Sequence, residues 1–190
     1  MTALQRRGPG SRADAHHPTR IELLDAAIRV AERDGVDALS VAAVTAEAGH
    51  SKGTFYVHFA DRTAMLVELH RRFHDDLFEQ IERNTAGQAP GAPRADARLT
   101  AFLDGCRAQP GVRSMLLDAR AVPEIAEQAR QRNAFAAASL ADDLRALVPH
   151  PEATAVLIVS ATVEAALREL VAGRRLPRLR SALRGFVPST

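Results

Sequence analysis

The stretch Ala48-Gly49-His50-Ser51-Lys52-Gly53-Thr54-Phe55-Tyr56-Val57-His58-Phe59 decides how this chain is read. Gly49 can adopt the positive φ that a tight turn between two helices requires. Ser51 can accept a hydrogen bond from the free N–H groups that open the next helix. Lys52, Thr54, Tyr56 and His58 then place hydrogen-bonding groups on a short exposed helix, while Phe55 and Phe59 face inward. Lys52 is also the sole lysine of the chain, every other strong base being arginine. The pattern predicts the turn and second helix of a helix-turn-helix, and so a DNA-binding surface.

Upstream, residues 20–34 contain neither proline nor glycine, and Ile21, Leu24, Ile28 and Ala31 recur at helical spacing. Thr19, with Glu22 three residues on, reads as a capping box. Gly35 stands where a left-handed C-terminal residue is expected. Ser40 caps a second helix over Val41–Ala48, which buries Val44 and Ala48. The third spans about Lys52–His58. Asp61 caps a long fourth helix with Leu66, Leu69, Phe73 and Leu77 on one face. Residues 85–94, rich in Gly, Ala and Pro, form the clear linker. Beyond it the sequence predicts helices over Ala95–Arg107, Val112–Ala121, Pro123 to about Leu147, Glu152–Ala172 and Pro177–Val187. No sustained period-two alternation occurs, so the expected class is all-α, with about nine helices and no sheet.

Composition narrows the function. The 190 residues are 46% hydrophobic, enough for a packed core, yet no apolar run approaches membrane-spanning length. A single cysteine, Cys106, excludes an internal disulfide and a cysteine-built zinc site. With no secretory signal visible, a cytoplasmic setting is expected. The formal net charge is only +2, and residues 1–62 hold eight bases and eight acids, so charge permits DNA binding without arguing for it. No paired carboxylates, nucleophile–base pair or phosphate-cradling glycine loop appears, and neither enzyme activity nor a cofactor is expected.

Three short helices, the third carrying the donors, followed by a long connecting helix, resemble the TetR/AcrR family of transcriptional regulators. The resemblance covers residues 17–77 and rests on Thr19, Ile21, Ala26-Ala27, Gly35, Ser40, Val44, Ala48-Gly49, Ser51, Gly53-Thr54-Phe55-Tyr56, His58-Phe59 and Met65-Leu66. It implies a DNA-binding domain over 17–77 and a helical effector-binding and dimerisation domain over 78–190, while Arg6, Arg7 and Arg12 make residues 1–16 a flexible basic tail. Two positions depart from the family pattern. His50 stands where an apolar residue is usual, and Thr45 replaces a small alanine, its hydroxyl able to bond back to the preceding turn.

The third helix would then lie in the major groove, where base edges differ in their donor and acceptor patterns. Lys52 would reach a guanine edge or a phosphate. Gly53 would let backbone approach the DNA, and Thr54 offers a hydroxyl and a methyl. Tyr56 and His58 suit phosphate contacts, which position without reading sequence. Arg62 resembles the basic residue that family members set against the DNA backbone. Ser40, Val41 and Ala42 lie where the second helix crosses the groove. Each has a plainer alternative: Tyr56 as a surface aromatic, Thr54 as a structural hydroxyl, His58 as a core-edge histidine.

Further along, Phe102, Leu103, Cys106, Met115, Leu116, Phe135 and Leu140 are candidates for a hydrophobic effector pocket. They would look the same if they only filled a core. In helix 152–172, Val156, Val159, Val163, Leu167 and Leu170 are candidates for a homodimer interface, as the family pairs its last two helices, or else for the core of one subunit. His70 and His74 are spaced for a shared metal, but no third ligand is apparent, and surface or interface histidines are favoured. The expected partners are double-stranded operator DNA, a second copy of the chain and a hydrophobic small molecule, with no membrane. The expected function is a ligand-responsive repressor bound to a palindromic operator. The alternative is a small-molecule sensor or carrier with a degenerate DNA-binding head.

Overall fold

Among the described residues, five of the eight helices open with a proline at one of their first two positions, and the other three carry a side-chain cap. Proline costs nothing there, because its missing N–H would have no partner in the first turn. The computed structural model describes residues 17–109 and 122–188. Over these the chain is all-helical: α1 (Pro18–Asp34), a 3-10 turn (Val36–Ala38), α2 (Val41–Ala48), α3 (Lys52–His58), α4 (Arg62–Thr85), α5 (Ala92–Ala108), α6 (Pro123–Leu144), α7 (Pro151–Ala172) and α8 (Pro177–Arg184). The predicted segment Val112–Ala121 and the tail over residues 1–16 lie outside the described residues. No described helix is long and apolar enough to cross a membrane.

Prolines account for most differences from the expected boundaries. Pro18, not Thr19, opens α1; His17 occupies the cap position without a side-chain bond, and Thr19 falls inside the first turn. Glu22 closes no capping box and bonds His50 across the turn instead, at 2.8 Å. The expected linker over 85–94 narrows to residues 86–91, because Pro93 opens α5 rather than breaking the chain. Gly35 has φ 84° and ψ 167°, so it is extended with a positive φ and not left-handed helical, although the glycine requirement is the same. Two later segments also end early, α6 at Leu144 and α8 at Arg184.

The first three helices close on a small core of Leu23, Ala27, Val30, Val44, Phe55 and Phe59, each at most 2% exposed. The buried stripe of α1 is thus rotated from the one expected, with Ile28 and Ala31 packing at its edge. Met65, Leu66 and Leu69 of α4 complete this core, and further along the same helix Phe73, Leu77 and Ile81 enter the second half of the molecule. A single helix is therefore built into both halves. α4 packs on α5 and α6, and α6 pairs with α7 over most of its length. At Gly105 an added methyl would overlap the Leu77 side chain, so α5 can press on α4 only there because a glycine stands at the contact.

Candidate nucleic-acid interface

The turn before α3 forms as its residues dictate. Gly49 is left-handed at φ 70° and ψ 26°, and its N–H closes α2 on the carbonyls of Ala46 and Thr45. Thr45 donates its hydroxyl to the Val41 carbonyl at 2.8 Å, so α2 keeps its shape with threonine in place of alanine. Ser51 Oγ accepts from the Thr54 N–H at 3.1 Å and lies 3.0 Å from the Thr54 hydroxyl. Ser40 caps α2 by accepting from Ala43 N, and Asp61 caps α4 by accepting from Ala64 N.

A seven-residue helix is too short to hold itself in water, so its orientation must come from tertiary contacts. Phe55 and Phe59 bury its inner face, their rings 5.4 Å apart. Arg20 of α1 locks its end, donating to the His58 carbonyl at 2.5 Å, stacking 4.3 Å above the Phe59 ring and pairing with Glu68 of α4 at 3.5 Å. Glu68 is held below the usual carboxylate range, chiefly by its hydrogen bonds from Arg71. Arg20 was not among the expected functional residues; only the contact of three helices reveals its role.

The outer face carries Lys52, Gly53, Tyr56 and Val57, all exposed. Tyr56 is 55% exposed and rests edge-on against Phe55. Gly53 meets nothing closer than Ser51 Oγ at 3.5 Å from an added Cβ, so its outer side is open. Val57, at 66% exposure, was not foreseen either. Its position midway between Phe55 and Phe59 was the available sign, and an exposed methyl pair suits a thymine methyl. Thr54 and His58 are half-buried; Thr54 is engaged with Ser51, and the His58 ring lies 4.8 Å from that of His17. In α2, Ser40 and Ala42 are exposed and Val41 is half-buried. Arg62 donates from Nε to the Leu39 carbonyl at 2.5 Å, bracing the entry to α2.

A second feature lies between α4, α5, α6 and α7: a cavity of about 50 Å³, partly open to solvent. Of the expected pocket residues Phe102 and Leu140 line it. Leu103 and Cys106 are buried away from its wall, and Phe135 is 57% exposed, edge-on to Phe78. Met115 and Leu116 lie outside the described residues. Val159 and Val163, expected at a dimer interface, line this cavity within their own subunit. Val156 is exposed, and Leu167 and Leu170 are half-buried. The outer apolar surface of α7 and the segment after α8 instead includes Leu157, Val171 and Phe186, at 72%, 81% and 59% exposure. His70 and His74 are buried with their rings 4.4 Å apart, and His70 Nδ1 bonds Gln128 at 2.9 Å. Among the described residues no group of three or more potential ligands gathers to hold a metal.

A braced short helix with a polar outer edge, set after a glycine turn, defines a helix-turn-helix protein. Residues 23–69 match the family described as bacterial regulatory proteins, tetR family. The whole fold is shared with solved regulators. A transcriptional regulator from Rhodococcus sp. Rha1 is 24% identical, with a TM-score of 0.75 over 88% of this chain and 92% of that one. The multidrug binding protein EbrR, solved in complex with imidazole, is 22% identical with a TM-score of 0.70, over 90% and 96%. A TerR/AcrR-family regulator from Aquifex aeolicus VF5 is 21% identical with a TM-score of 0.68, over 88% and 96%. No curated protein matches the sequence. Residues 23–69 thus carry the amino-terminal domain of the tetR family, and the fold of the chain is that of these solved structures.

Proposed function

We propose that the protein is a cytoplasmic transcriptional repressor that binds a palindromic operator as a homodimer and releases it when a small apolar molecule binds. The observation that carries this reading is the outer face of α3, where Lys52, Gly53, Tyr56 and Val57 stand free while both phenylalanines are buried. Lys52 and Val57 are assigned to base edges, and Tyr56 with His58 and Arg62 to phosphates. Ser40, Val41 and Ala42 flank the groove from α2. Two copies related by a two-fold axis would place their reading helices about 34–36 Å apart, one turn of DNA.

The cavity supports an effector role because three of its lining residues, His74, Phe78 and Ile81, lie on α4, the helix that also enters the DNA-binding core. A ligand that prefers one placement of α4 shifts the population by its differential affinity and no more. The reading is tested by gel shift on the chain's own upstream DNA at graded salt. The wild type should bind with a steep salt dependence. A Lys52→Ala, Tyr56→Ala double variant with an unchanged melting curve should lose most of that affinity. Undiminished binding by that variant would overturn the assignment, and a wild type that ignores DNA at low salt would return the case to a sensor or carrier.

A further inference from the structure

The cavity has two arginines in its wall, Arg98 and Arg132, and at first sight invites an anion. Both guanidiniums already face carboxylates that balance their charge. Arg98 donates from Nε to Asp143 at 3.1 Å and from Nη1 to Glu82 at 2.7 Å. Asp143 is 1% exposed and is shared with Arg94, which bonds its other oxygen. Arg132 donates to Asp75 at 2.5 Å, and Asp75 also accepts from Arg71 at 2.7 Å. A carboxylate entering the cavity would compete with Asp143, Glu82 and Asp75 for charge they already balance, and displacing the buried Asp143 or going uncompensated among apolar side chains is costly. Among the described residues no carboxylate lines the wall to receive a cation.

Among the described residues the remaining wall is aromatic and aliphatic apart from Thr162, Asn133 and Ser139. Phe78, Phe102 and His74 supply ring faces, His74 lying between the rings of His70 and Phe78 at 4.4 and 6.4 Å. Thr162 already donates its hydroxyl to the Ile158 carbonyl at 2.7 Å. The Asn133 amide and the Ser139 hydroxyl, both on α6, are half-buried in the wall. We infer that the cavity selects an uncharged, mainly aromatic molecule with one hydrogen-bonding group for Asn133 or Ser139, and rejects carboxylates and amines of the same shape. This rests on reading the cavity as the effector site.

The test uses the full chain and three probes of nearly one shape: benzyl alcohol, benzoate and benzylamine. Melting temperature is followed against probe concentration at about pH 8, above the ordinary imidazole range, so that histidine charge does not enter. Benzyl alcohol should stabilise the protein in proportion to occupancy. Benzoate and benzylamine should bind at least about tenfold more weakly, since an unmatched buried polar group is left in each case. Ala136→Leu, which fills the cavity from α6, should abolish the benzyl alcohol shift while leaving DNA binding intact. Asp143→Asn should release Arg94 and Arg98 and turn the preference toward benzoate, where that variant folds.

Benzoate binding as tightly as benzyl alcohol would overturn the inference, as would a shift that survives Ala136→Leu or the failure of all three probes. DNA binding is measured separately on the same preparations. A chain that retains DNA affinity but fails the probe test refutes the ligand class alone. One that passes the probe test but ignores DNA refutes the regulator reading alone.

Discussion

Glu169 shows how much one side chain can organise. It lies in the mostly apolar helix α7, 1% exposed, and accepts from the Leu176 N–H at 2.8 Å and from Arg180 at 2.7 and 2.5 Å. Arg180 also donates to Asp104 at 2.7 Å, so one carboxylate ties α7, α8 and α5 together. The Arg180 guanidinium, more than any other cause, holds the Glu169 carboxyl below its usual range. A depressed carboxyl contributes stability that is fully present above the unfolded value, about pH 4.3, and is lost as pH falls through the folded value. Glu169→Gln should therefore flatten the acid limb of denaturant midpoints measured from neutrality down to about pH 3. Glu169→Ala should cost about 1.5–3 kcal/mol at neutral pH, because Arg180 and the Leu176 N–H lose their acceptor while Asp104 still pairs Arg180. At the α2–α3 turn, Gly49→Ala must hold φ 70° with a Cβ and should cost about 1–2 kcal/mol, read as a lower melting temperature.

Helix α3 is the element on which the functional argument turns, and most of it was legible in the sequence. Gly49, Ser51, Phe55 and Phe59 announce a cap and a buried face whatever their surroundings, and the structure reproduces both. Arg20 was not legible, because its role exists only where α1, α3 and α4 meet. Nor could the outward and inward faces of α7 be separated: a mostly apolar helix with valines or leucines at many successive positions has no single stripe, so Val159 and Val163 could face a second copy or their own subunit's core. Arg20→Ala should leave the fold largely intact but loosen the end of α3. Affinity for specific and non-specific DNA should then fall by a similar factor, as a loss of positioning predicts, and a change confined to one base position would contradict it. Ser51→Ala removes the α3 cap and should lower stability by about 1 kcal/mol, visible in chemical denaturation.

At the scale of the molecule, α4 joins a small head core to a larger body, and α7 leaves Val156, Leu157 and Val171 uncovered on the outside. On the dimer reading these side chains meet their counterparts in a second copy. Leu157→Glu with Val171→Glu should yield a monomer by sedimentation, because carboxylates would face each other across the two-fold axis. Operator binding should fall by far more than the affinity of a half-site, since the second head no longer arrives with the first. A double variant that stays dimeric and binds normally would place the interface elsewhere.

Among 25 strongly basic side chains only Lys52 ends in a primary amine, and it stands exposed at the start of α3. Arginine is inert to the acylating reagents that modify amines, so nature has left this molecule with one side-chain handle, apart from the chain's own amino end. A fluorophore placed there by ordinary succinimidyl chemistry needs no engineered cysteine. Shielding of that handle by a duplex would report occupancy of the reading edge directly, in a protein otherwise unaltered.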